Sequence, residues 1–188
     1  MKFKSLALAA ALASSPLYAA NYVIDTAGAH ASVNFKISHL GYSYVLGRFN
    51  TFAGEFSYDA AVPQDSSISL TIDTTSLDSN HAERDKHLRS DDFLSVENYP
   101  EASFVSTSFE DLGDNKAKLV GDLTLRGVTK SIEIDVTKVG EGTDPWGGYR
   151  VGFEGTTALA LKDYGIDYNL GPAAEMVYMD LHIEGVRQ

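Results

Sequence analysis

The chain has 188 residues with 26 acidic against 15 basic side chains, a formal net charge of −11, five histidines and no cysteine. The absence of thiols excludes disulfide staples, a thiolate nucleophile and Cys-ligated zinc or iron–sulfur centres. The acidity argues against nucleic acid and anionic membrane surfaces as direct partners.

The first 20 residues, "MKFKSLALAAALASSPLYAA", place Lys2 and Lys4 before an apolar run from Leu6 to Ala13, then Pro16 and small residues. This is the pattern of a secretory signal peptide cleaved near Ala19 or Ala20. The run is far short of the roughly 20 apolar residues that span a bilayer. The expectation is a periplasmic chain, exported through a cleaved leader and without stable membrane insertion. Residues 21–188 fit one domain of about 168 residues with its own core.

Beyond the leader, alternation of period two dominates. "ASVNFKIS" sends Val33, Phe35 and Ile37 to one face, and "SISLTIDT" does so with Ile68, Leu70 and Ile72. "KLVGDLTL" offers Leu119, Leu123 and Leu125 with Gly121 between them, and "SIEIDV" offers Ile132, Ile134 and Val136. "RVGFEGTTALAL" and "MVYMDLHIEG" complete the set with Val151, Phe153, Leu159, Leu161, Val177, Met179, Leu181 and Ile183. With runs near Tyr22–Asp25 and Phe52–Tyr58, and one after Pro100, about eight antiparallel strands are expected, each with one wet face. "DLGDN", "RG" and "GEGTDPWGG" supply the turn chemistry of hairpins. Such strands close compactly as a two-sheet sandwich or as a barrel, and alternation alone leaves both open. Gly121, Gly155 and Thr157 in the inward set predict room inside.

One helix is expected, from Ser79 to about Ser90, within "DSNHAERDKHLRSDDFL". Asn80 and Glu83 make a capping-box-like start, and His81–Asp85, Glu83–His87 and Asp85–Arg89 are each four apart, the spacing of side-chain pairs on a helix. Leu88, Phe93 and Leu94 would anchor it on the strands. His81 and His87 are six residues apart, roughly 120° around a helix, so one ion cannot take both. No His-Glu-x-x-His, EF-hand loop, Gly-x-Ser-x-Gly elbow, P-loop or Gly-x-Gly-x-x-Gly occurs. The reading is therefore no metal, no catalytic residue and no enzyme. An enzyme acting on a cavity-bound hydrophobic substrate and a structural stress protein with a filled core stand as the alternatives.

"NHAERDKHLRSDDFLSVENYPEASF", with Arg84-Asp85, His87-Leu88, Asp92-Phe93 and Tyr99-Pro100, resembles the signature of the YceI-like family of polyisoprenoid-binding exported proteins. "HASVNFKISHLGYSYVLGRFNTFAGEF", "GDLTLRGVTKSIEI" and "DPWGGYRVGFEG" match in the same order. The resemblance implies an all-β fold, a single antiparallel, lipocalin-like barrel with a short helix near residues 80–90. It also implies an apolar cavity holding an isoprenoid lipid, either a polyprenyl chain or a quinone tail, as ligand rather than cofactor. Phe35, Ile37, Phe52, Phe56, Leu70, Leu123, Ile134, Phe153, Leu159 and Met179 are the cavity candidates. His39, Tyr44, Arg84, Trp146 and Arg150 are candidates for a mouth or head-group site. The expected role is a periplasmic carrier, buffer or scavenger, with a homodimer and transient contact with inner-membrane proteins left open.

Overall fold

The computed structural model describes residues 19–188. The leader expected over residues 1–20 lies, but for Ala19 and Ala20, outside the described residues.

The alternating segments form eleven strands: β1 (Ala20–Ile24), β2 (Ser32–His39), β3 (Ser43–Phe49), β4 (Phe52–Tyr58), β5 (Ser67–Asp73), β6 (Leu77–Asp78), β7 (Glu101–Gly113), β8 (Lys116–Leu125), β9 (Val128–Thr143), β10 (Tyr149–Ala160) and β11 (Met176–Arg187). Every pairing is antiparallel, and β11 bonds back to β1, so the sheet closes. Closure removes the sandwich alternative.

The eleven strands occupy eight positions around the barrel. β1 and β2 lie end to end along one edge of β11, with Ile24 opposite Gly185 and Val33 opposite Leu181. β4 pairs with β1 while β3 pairs with β2, and β5 and β6 continue the series against β4 and β3. Three of the eight positions are thus strands interrupted at residues 25–31, 50–51 and 74–76. This is the expected closed barrel of about eight strands, a size whose interior is just wide enough for side chains or one small ligand.

Turn chemistry sets the registers. Asp114 and Asn115 both take positive φ between β7 and β8, and Arg126 and Gly127 do so between β8 and β9. Two-residue turns of this type match the twist of the strands they join. Arg126 also donates to Gly165 O at 2.5 Å and to Asp91 O at 2.9 Å, which ties the β8–β9 turn to two irregular segments at the same end.

Gly121 does not leave the room expected of it. A Cβ there would stand 2.3 Å from Phe104 Cζ, so the glycine seats the ring of the neighbouring strand. Gly155 and Thr157 do border open interior space, although a Cβ on Gly155 would stand 3.1 Å from Ile134 Cγ2.

The helix, α1 (Ala82–Arg89), is shorter than expected and is capped by His81, whose Nδ1 accepts from Arg84 N–H at 3.3 Å. Asn80 instead sits at φ +62° in the turn before it. None of the three expected acid–base pairs of the helix forms. Asp85 is buried and accepts from Ser79 N–H at 2.8 Å and from the Ser79 hydroxyl at 2.5 Å. His87 Nε2 lies 2.9 Å from Asp92 Oδ2, and Arg89 donates to the carbonyls of Thr75 and Leu77. Backbone groups at the end of the barrel outcompete solvated partners one helical turn away, because buried polar groups must be satisfied. Phe93 and Leu94 are buried and Leu88 half-buried in a cluster with Phe35, Leu77 and Ile166, as the anchoring expectation requires.

Candidate functional site

Inward parity along the strands concentrates large apolar side chains in the barrel, and they do not fill it. Two voids with shared walls lie along its interior. The first, of about 130 Å³, is lined by Val33, Phe56, Leu70, Phe104, Leu119, Leu123, Ile134, Phe153, Gly155, Leu159, Leu181 and Ile183 among others. The second, of about 350 Å³, lies under α1 between Phe35, Ile37, Val45, Phe49, Leu77, Leu88, Phe93, Leu94, Leu125, Ile166, Leu170 and Val177. Ile72, Leu123, Leu159 and Met179 line both.

The polar groups of the second void are Ser38, His39, Arg84 and His87. Arg84 is aimed by Ser79: its Nε–H donates to Ser79 Oγ at 2.7 Å and an Nη2–H to Ser79 O at 2.5 Å. The Ser79 hydroxyl donates in turn to Asp85. A relay of charge-assisted bonds therefore holds a guanidinium at the rim with part of its fork unused by these contacts. His87 packs edge-on against Phe93 and Tyr168, each with ring centroids 5.0 Å away.

At the other end of the barrel the first void shares Tyr58, Phe109, Val136 and Phe153 with a polar cleft of about 200 Å³ that reaches Asn115, Lys116 and Lys138. On the outer face of this end, Arg150 joins three carboxylates: Asp25 at 2.6 Å, Glu184 at 2.6 Å and Asp144 at 2.7 Å. The guanidinium holds the carboxyls of Asp25 and Asp144 below the ordinary carboxylate range, with His30 and the Gly28 amide adding to the effect on Asp25. Asp25, His30 and Glu184 come close enough together to resemble a metal site. The cation of that cluster is Arg150 itself, which bonds two of the three.

Nine of the ten cavity candidates line these voids: Phe35, Ile37, Phe56, Leu70, Leu123, Ile134, Phe153, Leu159 and Met179. Phe52 does not. It faces inward opposite Ile72 but is packed against the surrounding core. Of the mouth candidates, the structure brings together His39 and Arg84. Tyr44 points to the outer face, since Val45 beside it points in, and its ring lies 4.9 Å from Lys36 Nζ. Trp146 and Arg150 are at the far end, in and after the β9–β10 loop, with Arg150 turned outward because Val151 is inward. Sequence reasoning missed His87 as a lining residue, together with Ile166 and Leu170. These belong to α1 and to irregular segments, in which strand parity carries no signal.

A closed eight-position antiparallel barrel with an apolar interior void, one polar rim and a short helix over that rim defines the class of small cavity-bearing β-barrels. Within it, the chain belongs to the YceI-like domain family, which matches residues 22–185. A UPF0312 protein of Shewanella baltica strain OS195 is 56% identical over 186 residues, covering 99% of this chain and 97% of that protein. One from Shewanella sp. strain W3-18-1 is 59% identical over 170 residues, covering 90% of this chain and 89% of its own. Among solved structures, the Campylobacter jejuni YCEI protein superposes with a TM-score of 0.73 at 25% identity, covering 81% of this chain and 90% of its own. Burkholderia cenocepacia BcnA gives 0.75 at 23% identity, with 86% and 98% covered. A polyisoprenoid-binding domain from Saccharophagus degradans, implicated in plant cell wall breakdown, gives 0.64 at 18% identity, with 90% and 99% covered. The last two likenesses speak to the fold.

Proposed function

We propose that the protein binds one isoprenoid lipid, a polyprenyl chain or a quinone tail, along the barrel axis, and that it is a binding protein rather than an enzyme. The observation that carries this reading is the pair of adjoining voids walled almost wholly by aliphatic and aromatic side chains. Ligand sites have this composition, an apolar body with a few polar groups that orient the ligand. A β-barrel relative described as polyisoprenoid-binding supports the ligand class. The larger void and the Arg84–His87–His39 rim suit a ligand whose head stays at the α1 end while its tail passes Leu123 and Met179.

The energetics favour a carrier, buffer or scavenger in an aqueous compartment, which we place in the periplasm on the strength of the leader sequence. Each buried methylene is worth about 0.8 kcal/mol relative to water. About twenty would sum to about 16 kcal/mol, near the practical ceiling of about 18 to 21 kcal/mol. Transfer from a bilayer exchanges one dry environment for another, so loading and unloading at membranes lie near balance while escape into water is strongly opposed.

Organic extraction of purified protein followed by mass spectrometry tests the reading. One isoprenoid per barrel is expected, with loss of that lipid on Leu123→Trp at the junction of the voids. A chain purified without lipid that also takes up no added polyprenol or quinone would overturn it.

A further inference from the structure

We propose that the tip and outer face of the β2–β3 hairpin form a docking surface for anionic lipid bilayers, which seats the rim of the larger void on the membrane. The proposal rests on the lipid-binding reading for its purpose and on separate observations for its substance.

The first observation is exposure of apolar and amphipathic residues in one place. At the tip, Leu40 is 57% and Tyr42 88% exposed, and on the outer face of β3 Leu46 is 64% exposed, beside Tyr44 and Tyr178. Register makes this one patch: Leu46 and Tyr178 are the two cross-strand partners of Lys36, and Tyr44 pairs with Ser38 next to it. Lys36 Nζ lies 4.9 Å from the Tyr44 ring and 5.7 Å from that of Tyr178. Tyrosines and long cationic side chains with apolar stems are the residues that settle at a membrane–water interface.

The second observation is charge. In a chain of 26 acidic residues, no Asp or Glu occurs between Asp25 and Glu55, a stretch that carries Lys36 and Arg48 and contains the whole hairpin. Net acidity disfavours anionic surfaces for the molecule as a whole, but the formally charged side chains of the hairpin itself are both cations. Three acids border the outer groove at the base of the hairpin, away from its tip: Asp78 opposite Arg48, Asp180 opposite Asn34, and Asp135.

The third is position. Leu40 takes a left-handed φ of +54°, a conformation that costs a bulky residue energy, and both it and His39 line the larger void. An exposed apolar side chain thus stands in the wall of an apolar void.

β3 pairs with β6 only at Arg48 and Phe49, so most of its outer edge is open and a second copy is the competing occupant. A two-fold pairing of this hairpin would set its cations against one another. Anionic headgroups complement it.

The test uses the exported chain without added isoprenoid, so that docking and cargo binding are read separately. Trp146 is the one tryptophan and lies at the far end. Tyr42→Trp in a Trp146→Phe background therefore reports on the hairpin alone. With vesicles of phosphatidylcholine containing roughly a third phosphatidylglycerol, its emission is expected to shift to the blue and to be quenched by brominated lipid. Co-sedimentation is expected to fall about fivefold for each cation removed in Lys36→Gln and Arg48→Gln, and further in Tyr42→Ser/Leu46→Ser, with unchanged circular dichroism. Unshifted, unquenched emission from the Tyr42→Trp reporter, or binding equal for anionic and pure phosphatidylcholine vesicles, would overturn the proposal. So would concentration-dependent dimerisation, by sedimentation velocity, that these substitutions abolish while vesicle binding is absent. Vesicle binding by a chain that extracts no isoprenoid would retain the docking surface and sink the cargo reading.

Discussion

Gly121→Ala tests how tightly the wall of the void is coupled to its contents. The added Cβ would stand 2.3 Å from Phe104 Cζ, 2.6 Å from Phe104 Cε2 and 2.6 Å from the Val105 carbonyl oxygen. Carbon atoms in contact prefer about 3.5–4.0 Å, so the ring must retreat by more than 1 Å, roughly, and the backbone oxygen cannot rotate away. Overpacking of this kind costs about 1–3 kcal/mol. Replacing glycine recovers about 0.4–1 kcal/mol through the unfolded chain. The clash wins, and a net loss of about 1–2 kcal/mol is expected, or about 2–8 °C in Tm for a domain of this size. Phe104 lines the smaller void, so its displacement also narrows the path of a ligand tail. Thermal melts followed by circular dichroism and displacement of a fluorescent polyene probe measure both effects. Phe104→Leu in the same chain is expected to recover part of the loss, with a coupling of about 0.5 kcal/mol or more. Strictly additive single and double substitutions, or a Gly121→Ala protein that melts and binds as the parent does, would refute the reasoning.

Tyr164 is buried to 2% exposure, and its hydroxyl has no partner among the described residues. Tyr164→Phe is expected to raise the urea midpoint, by about 1 kcal/mol of stability. Burial, with Asp163 nearby, pushes the phenol up to about 12. The unfolded chain therefore ionises first, and the parent should lose stability as pH rises from about 10 to 12, a component that Tyr164→Phe lacks. Asp25 and Asp144 titrate in the opposite sense: their depressed folded pKa values give stability that is present above the unfolded value and lost as pH falls through the folded one. Arg150→Gln is expected to lower Tm at neutral pH, with the gap to the parent closing in strong acid. Ser79→Ala removes the hydroxyl between Arg84 and Asp85 and should cost about 1.5–3 kcal/mol, read by denaturant melts.

Much of the barrel was legible because a strand declares its faces through its own neighbours. Val33, Leu70, Leu119, Ile134 and Val151 are all buried where parity predicts. The turns at Asp114-Asn115 and Arg126-Gly127 were legible for the same local reason. The α1 segment was legible as a helix and misread in its bonding. Asp85 looked like a partner for residues four positions away, but its partner is Ser79, brought alongside by the turn at Asn80. Phe52 and Phe56 share a parity, yet Phe56 borders the void and the half-buried Phe52 packs against the core without reaching it.

The amino-acid order by itself determined the alternating faces, the turns, the single short helix and the family. Each is written in residues close together along the chain, or in blocks recurring in a fixed order. Tertiary structure alone decided that β11 returns to β1, that broken strands share positions, and that Phe104 rather than empty space fills the notch at Gly121. It also decided that an apolar interior stays partly open. Those outcomes depend on how side chains distant in sequence meet across strands, and no local period encodes the volume left between them.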